Sequence, residues 1–216
     1  MMNKSGSRFM ALGGVAGPLL FTLTTAICAG LRPGYSHISQ FISELGATDS
    51  PNAHLMNFAG FIPAGLMIAL LGFSLILNLP RKFLPLTGSV LIAMFGIGMI
   101  VVGIFSNDFP EPHEDAGSLS NRIHDQVSLL MFLSVIIGIF ILGISFRKLP
   151  SWRRLWLYTV LSSLVSLGLL VALINSTQTF TYTGIWQRLF LLSIFLWMGI
   201  AGLHIFNAQR ENIITY

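Results

Sequence analysis

The sequence predicts an all-helical membrane protein, a bundle of six transmembrane spans forming one domain over residues 1–216. Three observations carry this. Of the 216 residues 54% are hydrophobic and 9% charged, whereas a soluble domain carries about 25% charged residues. Mean hydropathy is +0.77, so lipid must solvate much of the surface. Finally, six apolar segments reach the ~20 residues needed to cross a hydrocarbon core, joined by links that are alternately short and basic, or longer and polar.

The first span, 9–31, follows Lys4 and Arg8 as a signal peptide would. It runs on without a convincing cleavage site and is expected to be retained. Cys28 lies within it, the single cysteine, which excludes an intramolecular disulfide. Ile27 before it lacks the small side chain expected in a lipid-attachment motif. The second span, 52–78, is expected to start with Ser50 as N-cap and Pro51 in the first turn. Spans three to six cover 84–105, 123–146, 155–175 and 186–206. Proline in "NLPRKFLP" and "FRKLPSWRR" ends the helices at the links after spans two and four. Small residues four apart, Gly13 with Gly17 and Gly60 with Ala64, suit close packing within the bundle, and homo-oligomerisation is the lesser use of such faces.

Orientation follows from the basic residues. With the N-terminus in the cytoplasm, nine of twelve lie inside, leaving Arg32, Arg122 and Arg188 outside. Seven of eight acids fall outside. The expected location is therefore the cytoplasmic (inner) membrane, with both termini cytoplasmic. The charge of +4 then matches an anionic lipid leaflet, and the expected partners are membrane lipids rather than nucleic acid.

Polar chemistry concentrates on the outer side. In "RPGYSHISQFISELGATDSPNAH", residues 32–54, Tyr35, Ile38, Ile42 and Leu45 recur at helical spacing, with His37, Gln40 and Glu44 on another face. This predicts a short amphipathic helix over 35–45 at the interface, ended by Gly46 in a left-handed conformation. His54 and Asn57 are three apart near the outer end of span two, and a buried asparagine needs a hydrogen-bonding partner. Asp108 ends span three. His124 and Asp125 open span four, with Ser128 one turn below His124. Arg188, at the entrance to span six, is placed to reach headgroups or to pair with Glu44, Asp108 or Asp125. The acidic "PEPHED", with Glu111, His113, Glu114 and Asp115, reads as a solvated loop.

Histidines and carboxylates on one face are what an acid–base pair or a divalent metal would use, with Glu44, Asp108 and His124 as catalytic candidates and His54, Asp108 and His124 as metal candidates. No His-Glu-x-x-His, Gly-x-Ser-x-Gly or phosphate-binding glycine loop is present. No cofactor is expected, with a divalent metal as the alternative. Glu44, His54, Asn57, Asp108, His124, Asp125 and Arg188 are the expected ligand-binding residues; the alternative for all but Asp125 is an interhelical clamp that only fixes the bundle, and for Asp125 the favourable field of a helix N-terminus. His204 reads as structural.

"RPGYSHISQFISELGATDSPNAHLMNFAGFIPAGL", Asp108, His124 and "GIWQRL" together resemble the six-helix prokaryotic membrane proteins of domain-of-unknown-function family 998 over nearly the whole chain. One departure lies after span three, where Phe105-Ser-Asn-Asp108-Phe-Pro replaces a Phe-Pro-x-Asp-x-Gly-like turn. The resemblance implies fold and topology but no activity. A more distant similarity, to the eukaryotic Frag1/DRAM/Sfk1 group, implies lipid handling by analogy. The leading expectation is an outward-facing polar pocket for a lipid headgroup or small polar ligand, with Arg188 contacting an anion that Glu44 and His124 orient. The alternatives are a metal- or His/carboxylate-dependent lipid hydrolase or transferase, and, less supported, a proton-coupled carrier.

Overall fold

The computed structural model describes residues 4–108 and 117–214. Within them the secondary structure is helical, with no strand. The first span is a short α1 (Lys4–Ala11) that continues, after a break at Leu12, into α2 (Gly13–Leu31). The second span combines α3 (Ala53–Leu55), a π-helical turn (Met56–Phe61) and α4 (Ile62–Asn78). Spans three to six are α5 (Phe83–Ile104), α6 (Leu119–Phe146), α7 (Trp156–Ser176) and α8 (Thr183–Ile214). All six are long and apolar enough to cross a bilayer, which makes this a multi-pass membrane protein.

Sequential spans are neighbours, and the last packs back on the first, so the helices close a ring. Glycine sets how closely they approach. A Cβ on Gly17 would stand 3.0 Å from the Ala64 carbonyl, and one on Gly65 would stand 2.6 Å from the Gly96 carbonyl. These faces join α2 to α4 and α4 to α5, so Gly13, Gly17 and Ala64 serve packing inside the chain. Lipid offers little apolar gain for helix association, and such close backbone contact supplies dispersion instead. The interior is aromatic: Phe21 meets Phe61 edge-on at 5.0 Å and Phe195 at 6.0 Å, and Phe132 meets Phe190 at 4.8 Å.

The fifth span is the most peripheral. Only 28% of its apolar window is buried, against 50–56% in the other five. Polar side chains hold it: Trp197 donates from Nε1 to Thr159 Oγ1 at 3.2 Å, Ser163 donates to the Ile136 carbonyl at 3.1 Å, and Ser166 and Ser193 share a bond of 2.8 Å. Where α1 meets the last part of α8, Arg8 stacks 4.0 Å over Phe206, and nearby His204 packs against Trp152 at 4.4 Å, a packing role.

Four local expectations are corrected. The segment 35–45 is not an amphipathic helix. It is a series of turns with one 3-10 turn at Ser43–Leu45, because side chains rather than a helical ladder satisfy its backbone. Gly46 has φ −101°, so its glycine requirement is not conformational. Ser50 does not cap the second span: its Oγ is buried without a partner, and Asn52 precedes α3. Span four begins at Leu119 rather than 123 because Ser118 caps it, accepting from the Asn121 N–H at 3.1 Å.

Candidate functional site

The segment between α2 and α3 forms a cap over one end of the ring, the end expected to face outward. Arg188 of α8 pins it. Its Nη1 donates to the carbonyls of Gln40 (3.1 Å) and Gly184 (2.9 Å), and its Nη2 donates to the Tyr35 hydroxyl (2.6 Å). Tyr35 passes its own proton to the Phe41 carbonyl at 2.9 Å. Gln187, one residue earlier, accepts from the Ile42 N–H at 2.6 Å, and the Ile185 N–H donates to the Ile38 carbonyl at 3.0 Å. Gly184 lets the cap lie this close, since a Cβ there would collide with the Gln40 and His37 carbonyls.

Glu44 organises the cap from within. Its Oε1 accepts from the Phe41 N–H at 2.8 Å and its Oε2 from Gln40 Nε2 at 2.7 Å, while Arg32 donates to its carbonyl oxygen at 2.7 Å. Burial pushes the Tyr35 phenol above its ordinary pKa, partly offset by the Arg188 guanidinium. Burial, and then Arg188, pushes the His37 imidazole below its ordinary value. The expected pairing of Arg188 with a carboxylate is therefore not its role: its bonds go to two carbonyls and a phenol, which hold the cap in place.

Beneath the cap is a cavity of about 120 Å³, somewhat smaller than the ~150 Å³ apolar cavity that admits benzene. Phe21, Phe61, Phe95, Met99 and Phe132 make its apolar wall, contributed by the first four spans. Phe41, Ile42 and Ser43 of the cap roof it. The polar side is His124, Asp125 and Ser128 of α6, Gln187 of α8 and Asn107. His124 is 5% exposed, and its Nδ1 lies 2.9 Å from the Phe105 carbonyl. A carbonyl only accepts, so the neutral ring carries its proton on Nδ1 and leaves Nε2 as an acceptor. Asp125 is at the exposed rim, with Asn121 Nδ2 donating to its Oδ2 at 3.2 Å. Asn107 is 6% exposed, and its Oδ1 has no hydrogen-bond partner among the described residues. A buried amide oxygen left so costs roughly 1–3 kcal/mol.

Of the ligand-site candidates expected from sequence, His124 and Asp125 line this cavity, together with Ser128, which was placed one turn below His124. Asn57 is a clamp: its Nδ2 donates to the Gly46 carbonyl at 2.9 Å and to Ser106 Oγ at 3.0 Å. Asp108 braces the start of α6, accepting from the Ser118 N–H (2.7 Å) and Oγ (2.8 Å). His54 is exposed and stacks on Phe58 at 6.0 Å. Glu44 and Arg188 belong to the cap's framework. Glu111, His113, Glu114 and Asp115 lie outside the described residues. Among the described residues no group of three or more His, Cys, Asp or Glu stands together as a metal site, so His54, His124 and Asp108 do not form one. Sequence reasoning missed Asn107 and Gln187. The signal for Gln187 was present, a polar side chain inside an apolar helix, as it was for Asn57.

The fold thus defines a multi-pass, all-helical membrane protein. A family model described as "Protein of unknown function (DUF998)" matches residues 15–204, and the chain belongs to that family. No curated protein and no solved structure matches it. The similarity to the Frag1/DRAM/Sfk1 group finds no support in these comparisons.

Proposed function

We propose that this protein binds a small ligand in the cavity beneath the cap, at the end of the bundle expected to face outward from the cytoplasmic membrane. The observation that carries this is Asn107, a buried side chain on the cavity wall whose Oδ1 has no partner among the described residues. Buried polar atoms are almost always paired, and an unpaired one beside a cavity supports a ligand as the missing partner. The wall is suited to an amphipathic molecule: five phenylalanines, two methionines and other apolar side chains on one side, with His124, Ser128 and Asp125 on the other. A whole lipid headgroup is too large for about 120 Å³, and Arg188, engaged with the cap, is not offered to an anion. This favours a small polar molecule over the headgroup.

The test is to purify the full chain gently, denature it, and compare the released small molecules with those from Ser128→Leu, whose longer side chain projects into the cavity. A compound released in stoichiometric amount by the wild type and absent from the variant supports binding. Identical, empty profiles count against it.

A further inference from the structure

We infer that the cavity selects a small organic cation, an alkylammonium of about the size of a benzene ring or less, and rejects anions; this deepens the proposed function and rests on the cavity being a ligand site. Charge is the first argument. Among the described residues lining the cavity Asp125 carries the only formal charge, and no Lys or Arg is among them. Arg32 of the cap and Arg188 of α8 direct their guanidinium groups to the Glu44, Gln40 and Gly184 carbonyls and to Tyr35. An anion entering here would be desolvated without a cationic partner, which is strongly unfavourable.

The acceptors point the same way. In its neutral form His124 donates from Nδ1 to the Phe105 carbonyl, which leaves Nε2 with an acceptor lone pair. Asn107 adds a buried oxygen without a partner. An ammonium has only donors to offer, which is what these groups lack. Gln187 is the exception among the polar lining: its Oε1 holds the Ile42 N–H, so what it has left to offer is the Nε2 donor.

The walls supply the rest. Phe21 and Phe61 stand edge to face at 5.0 Å, and Phe41, Phe95 and Phe132 also line the cavity. Aromatic faces attract a cation through their quadrupole, most strongly when water is excluded, and clusters of them are the usual receptor for alkylated ammonium groups. Because Asp125 is at the rim, the charge can stay near water while the alkyl groups enter the apolar part.

Three compounds that share a tert-butyl group separate the possibilities: tert-butylammonium, tert-butanol and pivalate, each titrated by saturation-transfer NMR against the full chain in lipid nanodiscs, with empty nanodiscs as reference. The expected result is that the cation binds at least about tenfold more tightly than the alcohol, a difference of ~1.4 kcal/mol, and that pivalate gives no transfer. Asp125→Asn should bring the cation to within about twofold of the alcohol and leave the alcohol unchanged, and Ser128→Leu should abolish both. Should the alcohol or pivalate bind as tightly as the cation to the wild type, the cavity is a ligand site but the cation assignment is overturned. That comparison needs no variant to fold. Absence of transfer for all three, or binding that survives Ser128→Leu, removes the ligand site itself and the inference with it.

Discussion

Asn57 and Gly46 fit each other as a pair: the Asn57 Nδ2 donates to the Gly46 carbonyl at 2.9 Å, and the Asn57 Oδ1 occupies the place a Gly46 Cβ would take. The contact ties the cap to the π-helical turn of the second span, where an extra residue in the turn re-aims the side chains. Gly46→Ala and Asn57→Ala should each destabilise the protein, the second by about 1–3 kcal/mol because it leaves a buried carbonyl unpaired. In an Asn57→Ala background the cost of Gly46→Ala should shrink, since the colliding atom is gone. Thermal unfolding of the four proteins of this cycle measures the coupling, and strictly additive losses would contradict it.

Arg188 is predicted to hold the cap rather than bind lipid. Arg188→Lys loses the fork that reaches two carbonyls and a phenol at once, so amide exchange across residues 35–45 should rise by an order of magnitude or more. Tyr35→Phe removes the hydroxyl that links Arg188 to the Phe41 carbonyl and should cost about 0.5–1.5 kcal/mol. If Arg188→Lys leaves exchange in the cap unchanged while altering lipid co-purification, the assignment is wrong.

Much of this was legible in the sequence, and the reason is length. A span needs ~20 apolar residues whatever its neighbours, and the six predicted segments differ from the observed ones by a few residues at their ends. The cap was misread because helical spacing is necessary but not sufficient for a helix. Ile42 and Leu45 are buried as the stripe required, but Ile38 is half exposed, and the Gln40, Glu44, Arg188 and Gln187 side chains take over the backbone's hydrogen bonds. The cavity was not legible at all. Phe21, Phe61 and Phe95 come from three different spans, and nothing in their local sequence distinguishes a cavity wall from any other core position.

Asp108 and Ser118 act as one unit at the start of α6, joined through both carboxylate oxygens. Ser118→Ala should cost about 1 kcal/mol as a lost helix cap, and Asp108→Ala a similar amount. The double variant should cost distinctly less than the sum, because the two side chains share their bonds. Denaturant unfolding of the set decides this, and a catalytic rather than bracing Asp108 would predict no such coupling.

Alkaline pH should weaken the cap through Tyr35. Its phenol is held above the ordinary pKa of 10.0 by burial, with Arg188 acting in the opposite sense. A raised folded-state value means the neutral phenol's contribution is fully present below the unfolded pKa and is lost as pH rises through the folded one. Unfolding curves taken from neutral to strongly alkaline pH should therefore show a loss in the wild type that Tyr35→Phe lacks. Parallel pH profiles for the two proteins would contradict it.

The central claim, that an accessible ligand cavity lies under the cap, is tested most directly by the chemistry of one thiol. Cys28 is the sequence's single cysteine and is fully buried. With Cys28→Ala removing it, Ser128→Cys places a lone thiol on the cavity wall. The folded full chain should react with methanethiosulfonate-ethylammonium, faster than with the anionic ethylsulfonate reagent, and faster still when Arg188→Lys loosens the cap. A thiol at 128 that stays unmodified by either reagent until the protein is denatured would contradict the account.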